Sequence, residues 1–107
     1  MARSASAADV FHAIADVNRR TLLNTVTGGE ASVGTLAASV GLSYSAVSQH
    51  LAILYKAGLL SRRKEGRQRL YRLNPKPLRK VHIWTSRYEQ FWRSRLNKLH
   101  SLLGEKR

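Results

Sequence analysis

Ser43, Tyr44, Ser45, Ser48, Gln49 and His50 stand close together in the chain, and the run Arg62-Arg63-Lys64-Glu65-Gly66-Arg67-Gln68-Arg69 follows soon after. The first set is dominated by short neutral hydrogen-bonding groups. A glutamine can pair bidentately with adenine, and serines can bond to bases or phosphates. Arg62, Arg63, Lys64, Arg67 and Arg69 supply cations that grip phosphates or enter a minor groove. A polar reading face beside a positively charged loop is what recognition of a DNA groove requires. Double-stranded DNA is the partner these residues imply.

Other chemistry is poorly represented. The chain has no cysteine, which excludes disulfides, thiolate metal sites and a cysteine nucleophile. No P-loop or dinucleotide fingerprint occurs, so the chain reads as a non-enzyme. Asp9, His12 and Asp16 are spaced at i, i+3 and i+7 of the first helical stretch, and Asp9 with His12 could chelate one ion. His100 could join them from a partner copy, and nickel or zinc would suit such ligands. The plainer reading makes Asp9 a cap or solvated charge and His12 a surface or interface histidine, and it is the stronger of the two.

These groups need elements to position them. Val10, Phe11 and Ile14 recur at helical spacing over 7–15. Asp16 is placed to cap a second helix, about 17–27, ended by Gly28-Gly29. Ser32 caps a third, with Gly41 positioned for a left-handed end. Ser43 caps the fourth, about 44–57, in which Val47, Leu51 and Leu54 share one face. Tyr44, Ser45, Ser48, Gln49 and Ala52 must then look outward, with His50 on the flank, where it is either a phosphate contact or a surface histidine without a role. Residues 59–73 read as two strands around Glu65-Gly66, with the register left open at Leu70. After Asn74-Pro75-Lys76-Pro77 a single long helix is expected over 77–103. Its stripe of Trp84, Tyr88, Phe91, Trp92, Leu96 and Leu99 reads as a dimer interface with Phe11 alongside. The alternatives are that it closes the monomer core or lines a small-molecule pocket.

Length and charge agree with this division. The 107 residues suit one domain, with 8–74 as a DNA-binding core and 77–103 as a dimerisation helix. Net charge is +13, and its placement is uneven. Arg3, Arg19 and Arg20 balance Asp9, Asp16 and Glu30 before residue 55, whereas sixteen lysines and arginines face only Glu65, Glu89 and Glu105 after it. Such polarity favours a polyanion. No stretch has the length of a membrane span, and the first residues lack the apolar core of a secretory signal, so a cytoplasmic protein without a membrane partner is expected.

The string Phe11-His12-Ala13-Ile14-Ala15-Asp16-Val17-Asn18-Arg19-Arg20-Thr21-Leu22-Leu23 resembles the opening of ArsR-type (ArsR/SmtB-like) bacterial winged-helix regulators. So do Ser43 to Leu54 with Ala57-Gly58-Leu59-Leu60, the wing Arg63-Lys64-Glu65-Gly66-Arg67, and Tyr71-Arg72-Leu73. The resemblance implies a mainly α winged helix-turn-helix of order α-α-α-α-β-β-α, dimerising through its terminal helices. It implies a homodimeric regulator, usually a repressor, at a near-palindromic promoter site. A metal, a ligand or a protein co-regulator could modulate it. The family's cysteine metal site is missing, and its histidine pair on the last helix is broken, since His82 is followed eleven residues on by Arg93. Val17 stands where the family usually has proline, which predicts a less sharply started second helix. The rival reading is a sequence-neutral nucleic-acid-binding protein, architectural or RNA-binding. A protein-interaction module that touches DNA only incidentally is a third.

Overall fold

Side-chain caps decide where the helices begin. In the computed structural model, which describes residues 9–104, Asp9 precedes α1 (Val10–Ala13) and Asp16 precedes α2 (Val17–Val26). The Asp16 carboxylate accepts from the amides of Asn18 at 2.8 Å and Arg19 at 3.2 Å. The second helix is therefore sharply started despite Val17, because a carboxylate at the N-cap satisfies the amides left unpaired in the first turn. Ser32 caps α3 (Val33–Val40) through Thr35 N, and Ser43 caps α4 (Tyr44–Lys56) through Ala46 N. Gly41 ends α3 at φ 69°, a conformation that glycine adopts without a Cβ penalty.

The strands β2 (Leu60–Glu65) and β3 (Gln68–Leu73) form the expected hairpin. Its register pairs Arg62 with Tyr71 and Arg63 with Leu70, which settles the position left open at Leu70. A further strand, β1 (Ala31–Ser32), pairs antiparallel with β3 to give the sheet order β1-β3-β2. Two residues are too few to show strand periodicity, so the sequence carried no sign of it.

The core gathers Leu22 of α2, Leu36 of α3, and Val47, Leu51 and Leu54 of α4, with Leu59 and Tyr71 closing it from the hairpin side. The expected C-terminal helix is two, α5 (Leu78–Ser86) and α6 (Glu89–Leu102). At the break, the Thr85 and Ser86 hydroxyls donate to the carbonyls of His82 and Ile83, and Tyr88 N bonds to Thr85 O at 2.9 Å. Hydroxyls competing for helix carbonyls, followed by tightened three-residue bonds, bend and end a helix.

Neither α5 nor α6 contains a buried residue, although Leu78 and Val81 pack partly against the core. The core-closing reading of the aromatic stripe is thereby overturned. The radius of gyration, 17.7 Å, exceeds the roughly 13 Å of a compact domain of about 100 residues, because the C-terminal arm stands away from the core. Phe11 packs edge-on against Trp84, with ring centres 5.8 Å apart, so α1 lies along α5.

Because Leu51 is fully buried, Leu51→Ala is expected to lower the unfolding free energy by about 2–5 kcal/mol. Urea denaturation followed by circular dichroism measures it.

Candidate nucleic-acid interface

Helical periodicity gives α4 two faces. Val47, Leu51 and Leu54 are wholly inside, while Ser43, Tyr44, Ser45, Gln49 and Ala52 are exposed and Ser48 is half-buried. Tyr44, at 64% exposure, stands free at the N-terminal end. The outward side chains near it are short, so the helix backbone can approach base edges closely. A major groove is wide enough to admit such a helix.

Beside this face the hairpin walls a cleft of about 260 Å³, bordered by Tyr44, Ser48 and Ala52 on one side and Arg62, Arg67 and Arg69 on the other. Strand alternation explains which cations reach it. Arg62 and Lys64 pair across the ladder with Tyr71 and Arg69, and this face is the one that buries Tyr71. Arg62 also lies 3.9 Å from the centre of the Tyr55 ring, a cation–π contact that braces the hairpin on the end of α4. Arg67 follows Gly66, whose φ of 65° makes the turn.

Arg63, expected with the other wing cations, belongs to the opposite face of the hairpin. Its guanidinium makes two bonds to Glu30, at 2.8 and 3.0 Å, and one to Glu65 at 3.3 Å. The pairing holds the Glu30 carboxyl below the usual glutamate range, through the hydrogen bond from Arg63 first and its charge second, against opposing desolvation. Glu30 in turn raises Arg63. A residue one step out of phase along a strand points away from the cleft however basic its neighbours are.

His50 is half-buried, and its Nδ1 lies 3.2 Å from a guanidinium nitrogen of Arg19. Of the candidate metal ligands, Asp16 does not share a helical row with Asp9 and His12. The Asp9 carboxylate accepts from Phe11 N, and α1 ends at Ala13, so Asp16 caps a different helix and does not continue the i, i+3, i+7 row. His12 is exposed on α1 and His100 lies near the end of α6. Among the described residues no group of three or more histidines or carboxylates could hold a metal ion. Nor does any helix among them have the length and apolar character to cross a membrane.

Residues 16–62 match the family model described as bacterial regulatory protein, arsR family. The chain is 35% identical over 82 residues to the HTH-type transcriptional regulator Rv2034 of Mycobacterium tuberculosis, covering 77% of this chain and 74% of that protein. It is 34% identical to the transcriptional repressor SdpR of Bacillus subtilis, over 71% of this chain and 84% of that one. A crystal structure described as a possible transcriptional regulator for arsenical resistance superimposes with a TM-score of 0.65, at 40% identity over 83% of this chain and 90% of that chain. The chain belongs to the ArsR family.

It is accordingly a DNA-binding transcriptional regulator, with α3 and α4 as its helix-turn-helix and β2–β3 as its wing. Sequence reasoning missed three residues that brace this candidate interface in the ArsR-family chain: Glu30, which tethers the wing; Tyr55, under Arg62; and Arg19, behind His50. Glu30 and Arg19 meet partners more than thirty positions away, beyond the reach of local patterning.

The Glu30 carboxyl titrates lower in the folded chain than in the unfolded one, so the tether is present at neutral pH and is lost as pH falls through the folded value. Glu30→Gln is expected to speed amide hydrogen exchange in β2 and β3 at neutral pH. It should also remove the acid-dependent loosening of the wing that the wild type shows.

Proposed function

We propose that this regulator works as a homodimer that represses transcription by occupying a near-palindromic promoter site. The observation that carries the reading is the exposed polar face of α4 beside the cleft of Arg62, Arg67 and Arg69. Gln49, with Tyr44, Ser45 and Ser48, reads bases in the major groove. Ser43, His50 and the amide ends of the first turn of α4 are placed for phosphate. Arg67, Arg69 and Lys64 hold the backbone or the adjacent minor groove, and supply affinity with little sequence information.

Dimerisation is supported by the arm. Phe11 on α1 and Trp84, Tyr88, Phe91, Trp92, Leu96 and Leu99 of the arm are all exposed in the single chain, and the two helices of the arm bury nothing in its own core. A monomer rarely leaves so continuous an apolar surface in water. A second copy would cover it and place two α4 helices about one turn of DNA apart, roughly 34 Å. Repression is supported by the likeness to SdpR of Bacillus subtilis, a transcriptional repressor.

Titration of the protein into a duplex from upstream of its own coding sequence, and into a scrambled duplex of equal length, tests the reading. A preference of about a thousandfold or more supports site-specific regulation. Equal, steeply salt-dependent binding to both would overturn it and favour a sequence-neutral binder. Gln49→Ala is expected to cost about 1–3 kcal/mol on the upstream duplex and little on the scrambled one. Arg69→Ala should weaken both alike and reduce the salt slope by about one. The pair Trp92→Glu and Leu96→Glu should convert a dimer to a monomer in sedimentation velocity.

A further inference from the structure

Arg19 is a buried charged residue, only 8% exposed, and among the described residues its guanidinium bonds to no carboxylate. Its Nε donates to Ala13 O at 2.7 Å and one terminal nitrogen donates to His12 O at 3.2 Å, both at the end of α1. The other terminal nitrogen meets His50 Nδ1 at 3.2 Å on α4. One planar fork thus spans three acceptors on two helices, which the single ammonium of lysine does not reproduce. The Asp16 carboxylate holds the Arg19 amide from behind, at 3.2 Å.

The chemistry of the two groups fixes a proton. A guanidinium has only donors and stays charged in proteins, so at this contact Arg19 must donate and Nδ1 must accept. The neutral ring then carries its hydrogen on Nε2, on the side turned away from Arg19. His50 is only half-buried and follows the exposed Gln49 on the recognition helix. A neutral Nε2–H there is a donor matched to a phosphate oxygen at the edge of the groove.

We propose that Arg19 is a positioning residue for DNA binding: it holds His50 as the Nε2–H tautomer, aimed at a backbone phosphate, and ties α4 to the end of α1. The proposal rests on the reading that α4 enters the groove. It also joins two functions of the chain, since α1 carries Phe11 against Trp84 on the arm. The Arg19 guanidinium is one polar link between α1 and the recognition helix, beside the apolar packing of Val10 and Ala13 in the shared core.

Nitrogen-15 NMR of the histidine rings, at a pH where imidazole is neutral, tests the tautomer without DNA. The wild type is expected to show His50 with an unprotonated Nδ1, and Arg19→Lys to shift it toward a mixture. On the scrambled duplex, whose binding rests on phosphates, His50→Ala and Arg19→Lys should each weaken affinity about tenfold, the scale of one hydrogen bond to a charged group. Combined, they should weaken it no further than His50→Ala alone. His50→Gln, which keeps a donor at the far end of the side chain, should recover most of the loss. A wild-type His50 protonated on Nδ1 overturns the proposal whether or not the Arg19 variant folds. Losses that simply add in the double variant also overturn it, by showing that Arg19 acts only through general stability. The expected tautomer and coupling, with no preference for the upstream duplex, would count against the proposed promoter function while upholding the role of Arg19.

Discussion

Burial of Val47, Leu51 and Leu54 among Leu22, Leu36 and Leu59 is the constraint on which the interface depends. At 3.6 residues per turn, committing those three positions to the core leaves Tyr44, Ser45, Gln49 and Ala52 no direction but outward. Each large aliphatic side chain removed from water stabilises the fold by roughly 1.5–3 kcal/mol. The same free energy that holds the helix-turn-helix together therefore presents the polar face proposed to read bases. No separate device is needed to expose it, and a substitution that loosens the core blurs recognition as well as stability.

The wing shows how a strand sorts like charges. Its basic residues are nearly continuous in the chain, yet the pleat sends alternate ones to opposite faces. Arg62 and Arg69 line the cleft beside α4, whereas Arg63 is held by Glu30 and Glu65 on the far side. Glu30 immediately precedes β1, and β1 pairs with β3. The ion pair and the short strand act on the same hairpin from the same edge, and both orient it against the body of the domain. These exposed contacts contribute little to global stability. Their effect is on where the wing stands.

The C-terminal arm follows a different rule. In α5 and α6 the apolar residues keep their helical spacing but find no core of their own chain to enter. The Thr85 and Ser86 hydroxyls break what sequence periodicity alone would continue, and give Trp84, Tyr88 and Phe91 a staggered succession of ring contacts across the junction. Phe11 adds α1 to the same surface. An ArsR-family chain thus keeps its apolar surfaces apart. One is satisfied internally by the helix-turn-helix, and the other stands exposed along the arm.

The amino-acid sequence by itself determined the local features: the caps at Asp16, Ser32 and Ser43, the left-handed Gly41, the two faces of α4, the hairpin turn at Gly66 and the concentration of charge after residue 55. Each depends on residues within a few positions of one another, where helix or turn periodicity decides the outcome. Only the tertiary structure decided that Arg63 leaves the cleft for Glu30, that Arg19 is buried behind His50, that β1 joins the sheet, and that the arm breaks and stays exposed. All but the break depend on long-range packing. Arg63 and Glu30 are 33 positions apart and Arg19 and His50 are 31 apart. Whether such side chains meet depends on how helices and strands pack, and local residue order does not encode that geometry.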